Sequence, residues 1–196
     1  EGRAALVTGG AGHIGLAACE ALLELGCSVA VLDLDSDRCQ ARVAKLTPSG
    51  NETVIAVPCD LLDEKSTRAA VGRTVEELGG LDILIHCAGY VGTTSVPGWM
   101  DPFDRQTVAA WDAAMRVNLT SAFVMVQEAR EALASSGHGA VVLLSSIYGV
   151  VAPDFPMYEE ANLAPSPAAY VSSKGGILQM TRYFSTLLAP RVQANS

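Results

Sequence analysis

Short apolar runs alternate with longer amphipathic segments along most of the chain. The short runs are continuously apolar and rich in β-branched residues, as in AALV, VAVL and VVLL. Such runs are typical of parallel strands that are buried on both faces. Because helical segments separate them, the pattern predicts an α/β fold with helices on both faces of a parallel sheet.

The pattern places five strands and five helices. The predicted strands are Ala4–Thr8, Ser28–Asp33, Thr53–Pro58, Leu81–His86 and Ala140–Ser145. The predicted helices are Ile14–Leu25, Ser36–Leu46, Glu64–Leu78, Val108–Ala134 and Ala168–Leu188. Residues 192–196 look like the entrance to a sixth strand, and doubly wound sheets commonly have six or more. We therefore expect a three-layer, doubly wound parallel sheet of the Rossmann type, with residues 1–196 as a single domain and with C-terminal strands and a substrate lobe missing.

Two predicted connections, Tyr90–Arg105 and Ile147–Pro167, are long for a compact fold. Loops of this length usually form lids or substrate walls. Contact between subunits is the alternative, because aromatic loops also occur at interfaces. The polar residues of these loops favour a sugar, a polyol or a sugar-derived substrate, and they are Thr93, Thr94, Ser95, Glu159, Glu160 and Asn162.

The composition, with 49% hydrophobic and 17% charged residues, is that of a compact globular protein. A formal net charge of −8 argues against a nucleic-acid partner, because phosphate binding needs clustered Lys and Arg. No apolar run approaches the roughly 20 residues that cross a bilayer, so no membrane partner is expected. The five cysteines form no CxxC pair or His/Cys cluster. They predict free thiols in a reducing cytoplasm and no metal site.

A glycine-rich turn, residues 8–15, follows the first predicted strand and opens the first predicted helix. Glycines permit a tight turn and let a pyrophosphate approach the amides at the positive helix end. In this context dinucleotide binding is favoured over a purely structural turn. The second strand ends at Asp33, whose carboxylate can bind the adenosine ribose and repel a 2′-phosphate. Because the turn itself holds no Arg or Lys, NAD is predicted over NADP. The alternative is that Asp33, with Asp35 and Asp37, solvates a loop and caps the next helix.

Candidate catalytic groups follow in the second half of the chain. Tyr170 and Lys174 stand at i, i+4 on a predicted helix, so they share one face. A neighbouring ammonium stabilises a phenolate, which allows proton exchange with a substrate oxygen. A surface Tyr–Lys pair is the alternative. Ser145 and Ser146 close a strand at the sheet edge where ligands bind. Asn118 interrupts an apolar helix face and would need hydrogen-bond partners if buried.

These motifs occur in the order found in the short-chain dehydrogenase/reductase family, which the chain resembles from Ala4 to Ser196. The resemblance also includes Cys59-Asp60-Leu61, the segment Asp82–Gly89, Leu-Leu-Ser-Ser before Ile147, and Leu188–Arg191. It implies NAD-dependent interconversion of a secondary alcohol and a ketone, with a small-molecule substrate. It also implies a homodimer or homotetramer formed through the two long helices.

By resemblance, the catalytic tetrad is Asn118, Ser146, Tyr170 and Lys174. Tyr170 would be the acid/base, Ser146 would steady the substrate oxygen, Lys174 would hold the nicotinamide ribose, and Asn118 would support a water relay. Ser145 is the alternative to Ser146. Besides Tyr170 and Lys174, the residues implied to bind the cofactor are Gly9, Gly12, His13, Ile14, Gly15, Asp33, Asp60, Leu61, Cys87, Ala88 and Gly89.

The sequence departs from the family pattern at three places. The usual Asn-Asn-Ala-Gly is replaced by His86–Gly89, so an amide that would brace the central strands is missing, and His86 is expected to be structural. The spacing of Gly9, Gly12 and Gly15 and the long interval from Ser146 to Tyr170 fit the extended branch, which includes sugar-nucleotide epimerases and dehydratases. The other motifs favour the core branch of alcohol dehydrogenases and ketoreductases. The alternatives are therefore an epimerase or dehydratase, or a non-catalytic NAD-sensing domain.

Overall fold

The computed structural model describes residues 2–48, 50–91 and 94–196, which build a parallel sheet of six strands in the order β3-β2-β1-β4-β5-β6. The strands are β1 Ala4–Thr8, β2 Ser28–Asp33, β3 Val54–Pro58, β4 Ile83–His86, β5 Gly139–Leu143 and β6 Val192–Asn195. This is the strand order of doubly wound dinucleotide-binding sheets. The predicted three-layer Rossmann-type fold is confirmed, and a sixth strand forms where the sequence indicated one.

Helices cover both faces of this sheet. They are α1 His13–Glu24, α2 Ser36–Val43, α3 Glu64–Leu78, α4 Val108–Met115, α5 Ser121–Ser135, α6 Phe155–Glu160 and α7 Ala168–Leu187. Short 3-10 turns occupy Phe103–Arg105 and Ile147–Gly149. Within the described part of the chain, no helix combines the length and apolarity needed to cross a membrane.

Alternate residues of each central strand enter different core layers. Leu6 of β1 packs in the larger layer, with Met125 of α5 and Phe184 of α7. Val7, the next residue of β1, packs in the other layer with Cys19 of α1. Side chains of a strand point alternately to the two faces, so both must be apolar when helices cover both. The continuous apolar runs are thereby explained.

Two predicted segments differ from the structure. The predicted helix Val108–Ala134 is interrupted by a wide π-turn at Arg116–Thr120, where the hydrogen-bonded ring is larger than in an α-helix. The predicted loop Ile147–Pro167 contains α6, and the side chain of Asp154 caps the first turn of this helix. Six residues are too few for a helical period to stand out, and a π-turn leaves the apolar pattern nearly unbroken.

Candidate functional site

A long cavity of about 570 Å³ lies at the carboxyl ends of β1, β2 and β4. The strand order reverses between β1 and β4, and ligands of open parallel sheets bind at this switch point. The cavity brings together the predicted cofactor-binding residues Gly9, Gly12, His13, Ile14, Gly15, Asp33, Asp60, Leu61, Cys87, Ala88 and Gly89. Tyr170 and Lys174, also predicted to contact the cofactor, lie outside this lining and are described below.

The glycine turn is packed too closely to accept side chains. Gly9 has a φ of +63°, and a Cβ there would meet the backbone nitrogen of Ala88 at 2.9 Å. A Cβ on Gly15 would collide with the carbonyl oxygen of Gly9. The turn therefore holds the start of α1 directly against the end of β4.

The first turn of α1 has no side-chain cap. Gly12 occupies the cap position there, whereas Asp35, Asp63 and Thr107 cap α2, α3 and α4 through hydrogen bonds to backbone amides. Uncapped amides at the positive end of a helix are donors suited to an anionic group. Because Gly12, His13 and Ile14 line the cavity, this end fits the pyrophosphate of a dinucleotide.

The other end of the cavity carries opposite charges. The carboxylate of Asp33 accepts hydrogen bonds from the amides of Ala11 at 3.1 Å and Leu34 at 2.9 Å. Of the acidic group Asp33, Asp35 and Asp37, it is Asp35 that caps α2, so the capping role does not extend to Asp33. Arg38 of α2 lines the same cavity, and its guanidinium donates to the carbonyl of Ala11 at 3.2 Å. Sequence reasoning missed Arg38 because it sought cations only in the glycine turn.

Tyr170 and Lys174 lie on one face of α7. The ammonium of Lys174 is 5.7 Å from the centre of the Tyr170 ring and donates to the carbonyl of Leu144 at 2.7 Å. Lys174 is only 6% exposed, and burial lowers its pKa from the ordinary value. A surface Tyr–Lys pair is therefore the wrong interpretation, since the ammonium is inside the protein at the end of β5.

Asn118 lies in the π-turn and is fully buried. Its Oδ1 accepts from the backbone amide of Tyr90 at 2.7 Å, and its Nδ2 donates to the hydroxyl of Ser173 at 3.0 Å. The Ser173 hydroxyl donates in turn to the carbonyl of Tyr170. Asn118 thus connects the segment after β4 to the helix that carries Tyr170 and Lys174, and its amide has the partners that burial requires.

The two serines after β5 have different surroundings. Ser145 donates its hydroxyl to the carbonyl of Lys174 at 2.8 Å. Ser146 caps the 3-10 turn by accepting from the amide of Tyr148 at 3.2 Å. Ser146 also lines a second cavity of about 260 Å³ together with Tyr170, and Ser145 does not. Ser146 is therefore the serine placed to share a ligand with Tyr170.

His86 fills the place of the missing bracing amide. Its Nδ1 lies 2.9 Å from the hydroxyl of Thr8, and its Nε2 lies 3.4 Å from the hydroxyl of Ser121. Ser121 donates its own hydrogen to the carbonyl of Val117, so Nε2 carries the proton and Nδ1 accepts from Thr8. The amide is absent, and the His86 imidazole braces β1 and β4 in its place. Burial lowers the pKa of His86 to about 4, so the imidazole is neutral.

Cys87 lines the long cavity but is not an activated thiol. Burial raises its pKa to about 11, which keeps the thiol protonated at neutral pH. In residues 2–48, 50–91 and 94–196, no three His, Cys, Asp or Glu side chains cluster as metal ligands would. The site therefore consists of a dinucleotide-sized cavity beside a smaller cavity that holds a tyrosine and a serine.

A long cavity at the switch point, with an acidic residue at one end and a Tyr–Lys pair near the other, defines the class of nucleotide-binding oxidoreductases. The family model described as short chain dehydrogenase matches residues 3–196, and the chain belongs to this family. It is an oxidoreductase of CH–OH groups that interconverts small secondary alcohols and ketones with a nicotinamide cofactor.

Named relatives and a solved structure support this assignment. The chain is 30% identical to 2,5-dichloro-2,5-cyclohexadiene-1,4-diol dehydrogenase of Sphingobium indicum, over 91% of this chain and 67% of that protein. It is 31% identical to 2-dehydro-3-deoxy-L-rhamnonate dehydrogenase (NAD(+)) of Sphingomonas sp., over 96% and 67% of the two chains. A dehydrogenase/reductase crystal structure from Sinorhizobium meliloti 1021 matches with a TM-score of 0.80 and 29% identity, over 97% and 68%. The chain thus spans about two thirds of each relative.

Proposed function

We propose that this protein is an NAD-dependent secondary-alcohol dehydrogenase in which Tyr170 exchanges the proton with the substrate. The observation that carries the proposal is the meeting of the two cavities. Ser146 and Tyr170 line the smaller one, the glycine turn and Asp33 line the longer one, and Val91 lines both. A substrate in the small cavity would therefore adjoin the nicotinamide end of a bound dinucleotide.

The long cavity offers a partner for each part of the cofactor. The amides at the start of α1 would hold the pyrophosphate, and the Asp33 carboxylate would accept hydrogen bonds from the adenosine ribose. Asp60 and Leu61 would flank the adenine, and Ala88 with Gly89 would line the nicotinamide side. When bound, the nicotinamide supplies the hydride chemistry at the carbinol carbon.

The protein's own side chains would orient the alcohol and move its proton. The hydroxyls of Ser146 and Tyr170 would hydrogen-bond the substrate oxygen, and Tyr170 would take its proton during oxidation. The buried Lys174 ammonium would stabilise the Tyr170 phenolate and bind the nicotinamide ribose. We assign Asn118 as the residue that positions α7 and supports a water relay to Lys174.

NAD is proposed in preference to NADP because of Asp33. Its carboxylate is held by two backbone amides, so it is fixed where a 2′-phosphate would have to sit. The name of the Sphingomonas relative specifies NAD(+), which supports the same choice. The Arg38 guanidinium at the same end of the cavity would favour a 2′-phosphate. The proposed preference for NAD therefore rests on the charge of Asp33.

We also propose a homodimer or homotetramer in the cytoplasm. Exposed apolar side chains on α5 and α7, namely Phe123 and Leu187, support contacts between copies through these helices. The five free cysteines, four of them buried, support a reducing compartment.

The test combines nucleotide binding with turnover. NADH and NADPH are titrated by the fluorescence of the bound nicotinamide, and a panel of secondary alcohols is assayed for NADH formation. Tyr170→Phe should lower turnover at least about a hundredfold and leave NADH affinity unchanged. The matched control is Tyr183→Phe, an exposed tyrosine on the same helix, which should change neither. Unchanged turnover in Tyr170→Phe would overturn the tyrosine mechanism, and failure to bind either nucleotide would overturn the proposed function.

A further inference from the structure

Two tyrosines join the segment between Ser146 and Tyr170 to the small cavity. Tyr148 lies in the 3-10 turn directly after Ser146, and Tyr158 lies on α6. Their hydroxyl oxygens are 2.5 Å apart. Tyr148 lines the cavity that holds Ser146 and Tyr170, whereas Tyr158 does not. Tyr158 is therefore connected to the cavity indirectly, through its hydrogen bond with the Tyr148 hydroxyl.

The described wall of the small cavity is uncharged. It is formed by Val91, Trp99, Met100, Ser146, Tyr148, Ala164, Ser166, Pro167 and Tyr170, and none of these residues carries a charge. The indole N–H of Trp99 donates to the carbonyl of Val91 at 3.0 Å, so this ring offers the cavity an apolar surface. A charged substrate group would lose its hydration on entering this cavity without gaining a compensating charge, and this loss is costly in free energy.

Five of the six polar loop residues that favoured a sugar-like substrate are described, and none of these five lines the small cavity. Glu159, Glu160 and Asn162 are exposed and line none of the described cavities, and Thr94 lines the longer cavity. Thr93 lies outside the described residues. Apart from the Trp99 indole, the polar side chains among the described lining residues of the small cavity are hydroxyls, on Ser146, Tyr148, Ser166 and Tyr170.

The hydroxyl pair has hydrogen-bonding capacity left over. One hydrogen is shared between the two oxygens, and the other hydrogen and free lone pairs remain for a third partner. The hydrogen bond between Tyr148 and Tyr158 raises the pKa of Tyr148, which keeps that hydroxyl neutral. A ligand that expels water from the cavity must replace the lost partner of this hydroxyl, or the complex is weakened.

We propose that the small cavity takes a compact, neutral secondary alcohol that carries a second hydroxyl or carbonyl oxygen, and that Tyr148 binds this second oxygen with Tyr158 as its positioning residue. The proposal rests on the proposed function, which places the reacting oxygen at Ser146 and Tyr170. The cavity volume of about 260 Å³ is below the ~300–1,000 Å³ of pockets for drug-sized ligands, which fits a ring of about six carbons with its substituents.

The probes are three ligands that share one ring: cyclohexanol, trans-1,4-cyclohexanediol and trans-4-hydroxycyclohexanecarboxylate. The chain has two tryptophans, so Trp111→Phe leaves Trp99, in the cavity wall, as the only indole reporter. The dissociation constant of each probe is measured by Trp99 fluorescence with saturating NADH, which cannot oxidise the alcohols, and kcat and KM are measured separately with NAD⁺. The diol should bind at least about tenfold more tightly than cyclohexanol, and the carboxylate should bind most weakly.

The variants separate a substrate contact from a structural role. Tyr148→Phe and Tyr158→Phe should each reduce the ratio of the cyclohexanol and diol dissociation constants from at least about tenfold to about twofold or less. Tyr183→Phe should change no value. A variant that weakens diol and cyclohexanol equally would indicate a structural role and overturn the proposal, as would equal wild-type affinity for the two alcohols or preference for the carboxylate.

Failure of the proposed function gives a different result. NADH titration of the same preparation reports the long cavity independently of the three probes. Intact NADH binding without binding of any probe would overturn the substrate class alone. Absence of NADH binding would overturn the function on which it rests.

Discussion

The imidazole of His86 and the hydroxyl of Thr8 tie the ends of β4 and β1 together through a buried hydrogen bond of 2.9 Å. The same Thr8 hydroxyl accepts from the amide of Ala88 at 3.1 Å. Ala88 lines the long cavity where it meets the glycine turn. The bond therefore fixes the cavity floor at the switch point of the sheet.

Stability should depend on pH through His86. The folded pKa is about 4, below the ordinary 6.5, so the unfolded chain takes up a proton between these values when the folded chain does not. The free energy of unfolding should therefore be unaffected by His86 above pH 6.5 and fall by about 1–3 kcal/mol towards pH 4. Urea unfolding at pH 7, 6 and 5 measures this slope.

His86→Asn supplies the amide usual at this position and removes the titrating group, so it should flatten that slope. The exposed His138→Asn is the control and should retain the wild-type slope. Equal slopes in wild type and His86→Asn would show that the imidazole does not control the acid response.

Gly15→Ala should disrupt the turn at the start of α1. A methyl group there would collide with the carbonyl of Gly9, so the turn must shift. We expect a loss of about 1–3 kcal/mol in stability and at least about tenfold weaker NADH binding, measured by urea unfolding and fluorescence titration. Gly72→Ala is the matched control, because Gly72 lies in α3 with open space around its Cβ position. It should stabilise the protein by up to about 1 kcal/mol and leave NADH affinity unchanged.

Asp33→Asn should relax the choice between NAD and NADP. The substitution removes the negative charge and leaves Arg38 at the same end of the cavity. NADPH should then bind more tightly, so the NADPH dissociation constant divided by the NADH dissociation constant should fall by about tenfold or more. Adding Arg38→Ala should remove the gain in NADPH affinity. Asp35→Asn, which retains a capping residue on α2, should leave the ratio as in wild type, and an unchanged ratio in Asp33→Asn would contradict the assignment.

Cys87 should resist alkylation although it lines a cavity. Its pKa is about 11, so the reactive thiolate is scarce at pH 7.5. Iodoacetamide should modify it at least about a hundredfold more slowly than glutathione, with the rate rising about tenfold per pH unit, as followed by peptide mass spectrometry. Bound NADH should slow it further. A rate at pH 7.5 equal to that of glutathione would mean that the thiol is activated.

The sheet could be predicted closely because its sequence signal is local. Strands β1 and β2 begin and end at the predicted residues, since every interior position of each strand is apolar and buried. The glycine turn and the Tyr170–Lys174 spacing are also local. What the sequence did not reveal is set by distant contacts: the role of His86 depends on Thr8 and Ser121, and Arg38 reaches the cavity from the following helix.

The segment between Ser146 and Tyr170 could be located but not interpreted from sequence. Its length indicated a substrate wall or a subunit contact, and the structure shows that four of its residues line the small cavity, namely Tyr148, Ala164, Ser166 and Pro167. The hydroxyl pair that joins Tyr148 to Tyr158 lies across two different elements, and no periodicity reports it. Pairings of this kind follow from tertiary packing.

The π-turn at Arg116–Thr120 accommodates one residue more than an α-helical turn, while α4 and α5 on either side of it keep their buried faces. Deleting one residue from this turn would therefore leave a continuous α-helix with the buried face of α5, including Met125, still directed at the sheet. A deletion in the middle of α5 would instead rotate all following residues by about 100°. Among single-residue deletions in this helical stretch, those at the turn should therefore cost the least stability, although they would displace Asn118 from Tyr90 and Ser173.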